Sequence, residues 1–372
     1  MLKNLYSFNL REYWRNVDKI IFFSFLILFV LGVFFSFAST SSLAGERLNK
    51  DYYFFFSKHL IFSIISIILM TLISSIENQL FKKTIIPIFI ISCVTLFLVL
   101  FIGVEVKGSK RWLDLFFFRL QPIEFLKPFF VVMVAIVLSK NDFVTTKMNY
   151  FFSFLILLFP SILLLNQPDV GQTILLVLTW LATIFISGIE LIYIFILGIF
   201  FILSLILLFL IFPERFFYIL KRFEVFFDPS KGDRFQTNQA LDAIREGGLV
   251  GQGMGEGILK ESVPEAHTDY IIAVITEEFG SIVSILIVCI FLYIAFRIIK
   301  SALVIENKFI KISLGGLASL LIFQTFIHIG VNTSLIPTTG MTLPFLSYGG
   351  SSMIGSSILA GIILNFTKKN LK

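Results

Sequence analysis

Apolar runs of about 20 residues recur along almost the whole of this 372-residue chain. Each is long enough to cross a bilayer core of about 30 Å. Charged residues make up 15% of the sequence, against roughly 25% in soluble domains. The chain therefore reads as an all-α polytopic membrane protein, a single transmembrane domain over residues 1–372. Ten spans are expected, at roughly 20–38, 59–76, 84–104, 124–139, 148–166, 171–187, 190–212, 269–299, 309–333 and 351–367. A large extracytoplasmic loop, 213–268, separates helices seven and eight. The first apolar segment exceeds the 7–15 residues of a signal-peptide core, so it is read as an uncleaved span.

An even number of spans puts both termini on one side. The basic N-terminal lead (Lys3, Arg11, Arg15, Lys19) and the Lys368, Lys369, Lys372 tail place that side in the cytoplasm. Lys82 and Lys83, and the group Arg297, Lys300, Lys308 and Lys311, agree with this. The net charge of +6 belongs to these flanks and loops and implies no nucleic acid. Two outward loops run against the charge rule. One carries Lys107, Lys110, Arg111 and Arg119; the other carries Arg215, Lys221, Arg222, Lys231, Arg234, Arg245 and Lys260. Cations placed against the orientation bias suggest an anionic ligand outside, or contact with anionic lipid headgroups. Cys93 and Cys289 lie inside apolar runs and offer neither a disulfide framework nor metal spacing.

The stretch Pro264-Glu265-Ala266-His267-Thr268-Asp269 ends the long loop and opens an apolar helix. An ionisable residue at such a boundary is a functional candidate. Asp269 is read as a proton-handling group at the outer mouth of a membrane cavity; the alternative is that it only favours a helix N-terminus. Glu265 would share its face if the helix began at Pro264, and two near carboxylates can raise one toward the range of a general base. The eighth span, at about 31 residues and about 1.5 Å each, is too long for the bilayer. Gly280 is a plausible break within it, and Glu277 and Glu278 cannot both face lipid cheaply.

Four other stretches carry polar chemistry. Lys110 and Arg111 in Gly108-Ser109-Lys110-Arg111-Trp112-Leu113 could hold a diphosphate, while Trp112 suits an interfacial anchor. After Gln121-Pro122, Glu124 and Lys127 stand three apart on the fourth span and could pair, structurally or catalytically. Asn166-Gln167-Pro168-Asp169-Val170-Gly171-Gln172 reads as a tight turn that could add Asp169 and Gln172 to the cavity. The glycines at 247, 248, 251, 253, 255 and 257 suggest a nucleotide loop only weakly, because no Gly-Lys-Ser/Thr follows; a flexible loop or close backbone packing fits better. Finally Gly330-Val331-Asn332-Thr333 and the Gly- and Pro-rich run from Ile336 through Ser347 and Ser351 to Ser352 are uncharged yet flanked by spans. Irregular backbone at membrane depth survives only where protein or water satisfies it, so this run is expected to re-enter the membrane and line the cavity. His328 reads as a core residue, and His267 has no second His to make a metal site.

Together Pro-Glu-Ala-His-Thr-Asp and Pro-Thr-Thr-Gly-Met-Thr-Leu-Pro-Phe-Leu-Ser-Tyr-Gly-Gly-Ser-Ser resemble the SEDS family (shape, elongation, division, sporulation). The Gly-Val-Asn before the second motif is more similar to division members than to elongation members. The resemblance implies a peptidoglycan glycosyltransferase that polymerises lipid II at the septum and releases undecaprenyl diphosphate. It places the family's essential aspartate on Asp269, its fourth-helix pair on Glu124 and Lys127, and its Arg-Trp pair on Arg111 and Trp112. Gln121, Glu265, His267, Ser347 and Ser351 fall in the same motifs. The sequence departs at Ile123, where Ser is usual, and near Phe116, where Gly is common. The implied partners are lipid II, membrane lipid, a class B penicillin-binding protein and other division proteins, in the bacterial inner membrane. A divalent cation, Mg or Mn, would suit the leaving diphosphate, but no ligand cluster marks one. A lipid II flippase and a non-catalytic scaffold of the division machinery are the rival readings.

Overall fold

Wherever the apolar runs are long, backbone hydrogen bonds close within a helix, the form that leaves no polar group for lipid to meet. The computed structural model describes residues 10–39, 54–106, 109–115, 119–140, 146–214, 216–228, 230 and 234–369. Lys3, Lys107, Gly108, Phe116, Arg215, Lys231 and Lys372 lie outside the described residues. A short α1 (Leu10–Asn16) precedes the ten expected spans, which are α2 (Lys19–Ser39), α3 (Phe54–Ser75), α4 (Asn78–Ile102), α5 (Pro122–Leu138), α6 (Thr146–Asn166), α7 (Val170–Ser187), α8 (Leu191–Ile211), α11 (Ile271–Val304), α12 (Lys308–Asn332) and α13 (Gly350–Phe366). Eight of them are long and apolar enough to cross a membrane by length and composition. The other two, α5 and α13, have 17 residues each, the lower end of the spanning range.

α5 lies at the centre, packed against α4, α6, α12 and α13, and most of its residues are buried. Proline at its first position costs no hydrogen bond, because that N–H has no partner in a helix anyway. α8 buries no residue within the protein, as expected of a helix that is apolar all round and meets lipid. Cys93 is buried and Cys289 exposed on the apolar surface.

The regions read as loops hold more structure than expected. Between α4 and α5, strands β1 (Val104–Val106), β2 (Ser109–Asp114) and β3 (Arg119–Leu120) form an antiparallel sheet in that order. Val106 faces Ser109 and Asp114 faces Arg119. The 213–268 segment contains α9 (Phe217–Phe227) and α10 (Phe235–Gly247), and α10 packs on α11.

The overlong eighth span is indeed interrupted at Gly280, whose φ of 85° and ψ of 166° leave the helix. The break frees backbone groups, and the glycine-rich loop takes them up. Gln252 N donates to Glu277 O (2.9 Å), Gly253 N to Glu278 O (3.0 Å), and Ser281 N to Gly248 O (3.0 Å). A Cβ on Gly280 would stand 2.2 Å from Leu249 O, so only glycine admits this approach. The side chains complete the strap. Glu277 Oε1 accepts Leu259 N (2.7 Å), and Glu278 pairs with Lys260 and accepts Gly255 N (3.2 Å). The glycines therefore serve close backbone packing, and both buried acids face protein.

Candidate active site

Pro264 to Asp269 does not begin the helix, as the pairing of Glu265 with Asp269 on one helical face required; α11 starts only at Ile271. Glu265 instead adopts φ 57°, and its carbonyl accepts the N–H groups of Thr268 (3.0 Å) and Asp269 (3.1 Å). This tight turn is then cross-linked to two other segments. Asn332, at the end of α12, donates through Nδ2 to Asp269 O (2.9 Å) and to His328 O (2.8 Å), while its Oδ1 accepts Ala273 N (3.2 Å). Ser347 Oγ donates to Thr268 O (2.6 Å) and accepts Leu343 N (2.8 Å); Tyr348 N donates to His267 O (2.8 Å). Within the irregular 336–349 run, Leu343 N and Tyr348 N thus find their partners in protein.

Asp269 is half-buried and lies on the wall of an open cavity of about 610 Å³. The wall draws on α3 (Lys58), the sheet (Arg111, Arg119), the start of α5 (Gln121, Glu124), α7 (Gln172), α9 (Arg222), the Glu265–Asp269 turn and the 338–352 run. Gly340, at φ 72°, lies beside the acid: a Cβ there would sit 3.6 Å from Asp269 Oδ2. Burial pushes the phenol of the neighbouring Tyr270 upward; the Thr237 hydroxyl opposes this, the Asp269 charge adds to it, and Arg222 opposes it.

Below the acid, the buried Glu124 accepts Lys127 Nζ (2.8 Å) and Gln172 Nε2 (3.2 Å) on Oε1. Lys127 also donates to Gln324 Oε1 (3.0 Å), and Gln324 Nε2 donates to Thr342 O (3.1 Å). This chain ties α5, α7 and α12 to the 336–349 run and keeps the buried charges paired. Arg111 faces the cavity but is committed to the α6–α7 turn: Nη2 to Pro168 O (2.6 Å), Nε to Gln167 O (3.4 Å) and to Asp169 Oδ2 (3.5 Å). Asp169 also caps α7 through Gln172 N (3.4 Å).

Five expected cavity residues do not line it. Lys110 is exposed on β2, on the side away from the cavity wall. Lys127 lies behind Glu124, its ammonium spent on Glu124 and Gln324. His267 packs its ring against Phe55 at 4.5 Å and near Tyr348 at 5.6 Å. Ser347 braces the Asp269 turn, and Ser351 Oγ accepts Gln121 N (2.9 Å) while donating to Arg119 O (2.9 Å). Arg222 was legible only as one cation among several in a loop; the amphipathic α9 brings it to the wall, where Nη1 donates to Thr338 O (2.7 Å). Among the described residues no group of three or more His, Cys, Asp or Glu could hold a metal ion.

Known proteins are similar to this chain in sequence and in fold. Curated relatives include the probable peptidoglycan glycosyltransferases FtsW of Caulobacter vibrioides (34% identical over 358 residues, 96% of this chain and 90% of the relative) and of Haemophilus influenzae (32% over 362 residues, 95% and 91%). Among solved structures, a chain of a peptidoglycan synthase complex coordinating polymerization and crosslinking superposes with TM-score 0.75 at 22% identity, covering 94% of this chain and 97% of that one. The rod shape determining protein RodA of Thermus thermophilus gives 0.70 at 22%, covering 94% and 96%. Residues 18–372 match the family model FTSW_RODA_SPOVE, described as cell cycle protein. With nearly the whole chain inside that match, the protein belongs to the FtsW/RodA/SpoVE family of multi-pass membrane proteins.

Proposed function

We propose that this chain is a peptidoglycan glycosyltransferase that polymerises lipid II at the division septum, with Asp269 as general base. The observation that carries the reading is the placement of Asp269: on the wall of an open cavity, in a turn fixed by Asn332 on Asp269 O and by Ser347 on Thr268 O. Its carboxylate takes the proton of the 4-hydroxyl of an incoming lipid II. That oxygen bonds to the anomeric carbon of the growing chain, the bond from that carbon to the diphosphate breaks, and the electron pair leaves on lipid diphosphate. Asp269 then returns its proton to water. Glu124 and Gln172 shape the floor of the cavity, and Arg222 on its wall offsets the diphosphate charge.

The same reading places the cavity and residues 213–268 outside the inner membrane and both termini in the cytoplasm. It also gives the chain a transpeptidase partner of the class B penicillin-binding type, in keeping with the family resemblance.

The test supplies lipid II to the purified protein in detergent, where there is no second leaflet. The wild type should yield glycan strands, and Asp269→Asn should lower the rate by about 10²-fold or more at unchanged expression and melting temperature. Strands made by the wild type exclude a pure flippase or scaffold; undiminished synthesis by Asp269→Asn overturns the assignment of the base.

A further inference from the structure

Behind the wall formed by Arg222, Gln236 and Thr338 lies a second cavity of about 510 Å³, which has these three residues in common with the first. It opens between α9, α10 and the 334–338 run. Three cations line it, Lys221, Arg222 and Arg234, and no carboxylate does so among the described residues. The two arginines are held in place. Arg222 donates to Thr338 O at 2.7 Å, and Arg234 Nη2 donates to Ser334 Oγ at 3.3 Å with its guanidinium 5.9 Å from the Phe226 ring centre. Around them the wall is apolar, with Phe217, Val225 and Ile336. α9 follows the spanning α8 directly and exposes Phe217, Phe223 and Phe227, so it has the make-up of a helix lying at headgroup depth.

We propose that this second cavity is the subsite for the diphosphate of the glycosyl donor, the lipid-linked end of the growing chain. The inference rests on the glycosyltransferase reading above. Transfer joins two lipid-diphosphate sugars, so two anionic groups must be held at once. The acceptor hydroxyl must reach Asp269, which belongs to the first cavity only. The donor diphosphate gains charge as its bond to the sugar breaks, and preorganised cations stabilise it there. Arg111 is committed to Asp169 and two carbonyls; Lys221 and Arg234 have no carboxylate partner among the described residues. Arg222 faces both cavities, at the point where the anomeric carbon must meet the hydroxyl. Guanidinium groups suit a diphosphate because they donate in pairs.

The test uses farnesyl diphosphate, a prenyl diphosphate without sugar, titrated into the purified full chain in detergent. Wild type and Asp269→Asn should bind it equally. Arg234→Gln should bind it about tenfold more weakly and Arg234→Lys in between, with melting temperatures unchanged; Lys221→Gln gives an independent second variant. Inorganic diphosphate should compete, and phosphatidylglycerol at equal concentration should not. The proposal is overturned if the wild type does not bind the probe, if both Arg234→Gln and Lys221→Gln bind it like wild type, if Arg111→Gln alone removes binding, or if phosphatidylglycerol competes as well as the diphosphate, which would mark a general anionic-lipid surface. Polymerisation by Asp269→Asn would defeat the assignment of the base while leaving the binding result standing, so the two failures can be told apart.

Discussion

Asn332 holds the Glu265–Asp269 turn from behind: one amide donates to Asp269 O and His328 O and accepts from Ala273 N. Asn332→Ala removes all three bonds; Ala273 N keeps Tyr270 O (3.0 Å) as a partner, so the main loss is the brace on Asp269 O, at a cost of about 1 kcal/mol. The expected outcome is a slower polymerisation rate with substrate binding preserved, since the acid loses its fixed position and not its chemistry. A wild-type rate from the purified variant would exclude this role. The sequence singles out Asn332 only as part of a motif, because what it bonds to lies in another helix. Lys368 gives a pH dependence of known sign. Burial lowers its ammonium from 10.5 to about 8, opposed by the charge of Glu77, and its Nζ donates to Ile76 O at 3.0 Å. A lowered folded-state value means that the unfolded chain holds the proton longer, so stability rises as pH climbs from about 8 toward the ordinary lysine range. The melting temperature should therefore be higher near pH 9 than near pH 7 by more in the wild type than in Lys368→Met. Equal shifts in the two proteins would contradict it.

At the scale of the element, the strap over Gly280 explains why a span of 34 residues survives in a bilayer too thin for it. The upper part of α11 is covered by protein, and the broken hydrogen bonds are remade with the glycine loop. Lys260 and Glu278 are the buried ionic part of that strap, at 6% and 0% side-chain exposure. Lys260→Met should destabilise the protein by about 3–5 kcal/mol, because an unpaired carboxylate remains buried. Adding Glu278→Gln should recover much of that loss, and a double-mutant cycle in thermal unfolding would measure the coupling. Additive effects would mean that the pair contributes nothing as a pair. The break itself was legible, since length and a glycine sufficed to predict it. The sheet at 104–120 and the helices α9 and α10 were not. The strands are two to six residues long, too short for alternation to stand out, and amphipathic helices of 11 and 13 residues vanish beside the apolar spans. Arg222 was lost with them: its place at the cavity depends on α9, whose register no motif announces.

Over the whole molecule, the ten spans came from apolar length alone, because lipid tolerates few alternatives to a helix; the direction in which they run rests on charge. Arg297, Lys300, Lys308 and Lys311 gather at the junction of α11 and α12, at the end of α11 remote from Asp269. By the positive-inside rule that end belongs in the cytoplasm and the cavity outside, the side on which the proposed function needs it. The cations around the cavities oppose this assignment on a simple count, and the proposed function resolves the conflict by giving them anionic substrates to hold. Orientation can be read without assaying activity. Glu256 on the glycine loop and Glu306 between α11 and α12 are both exposed. In intact cells with a permeable outer layer, a membrane-impermeant maleimide should label Glu256→Cys and spare Glu306→Cys, and both should react after lysis. Native Cys93 is buried. Cys289, within α11 and facing the apolar surface, should also stay unmodified in membranes, because the thiolate that reacts does not form in hydrocarbon. The reverse labelling pattern would put Asp269 on the cytoplasmic face, where a periplasmic polymerase cannot use it, and would remove the proposed chemistry whatever the geometry of the site.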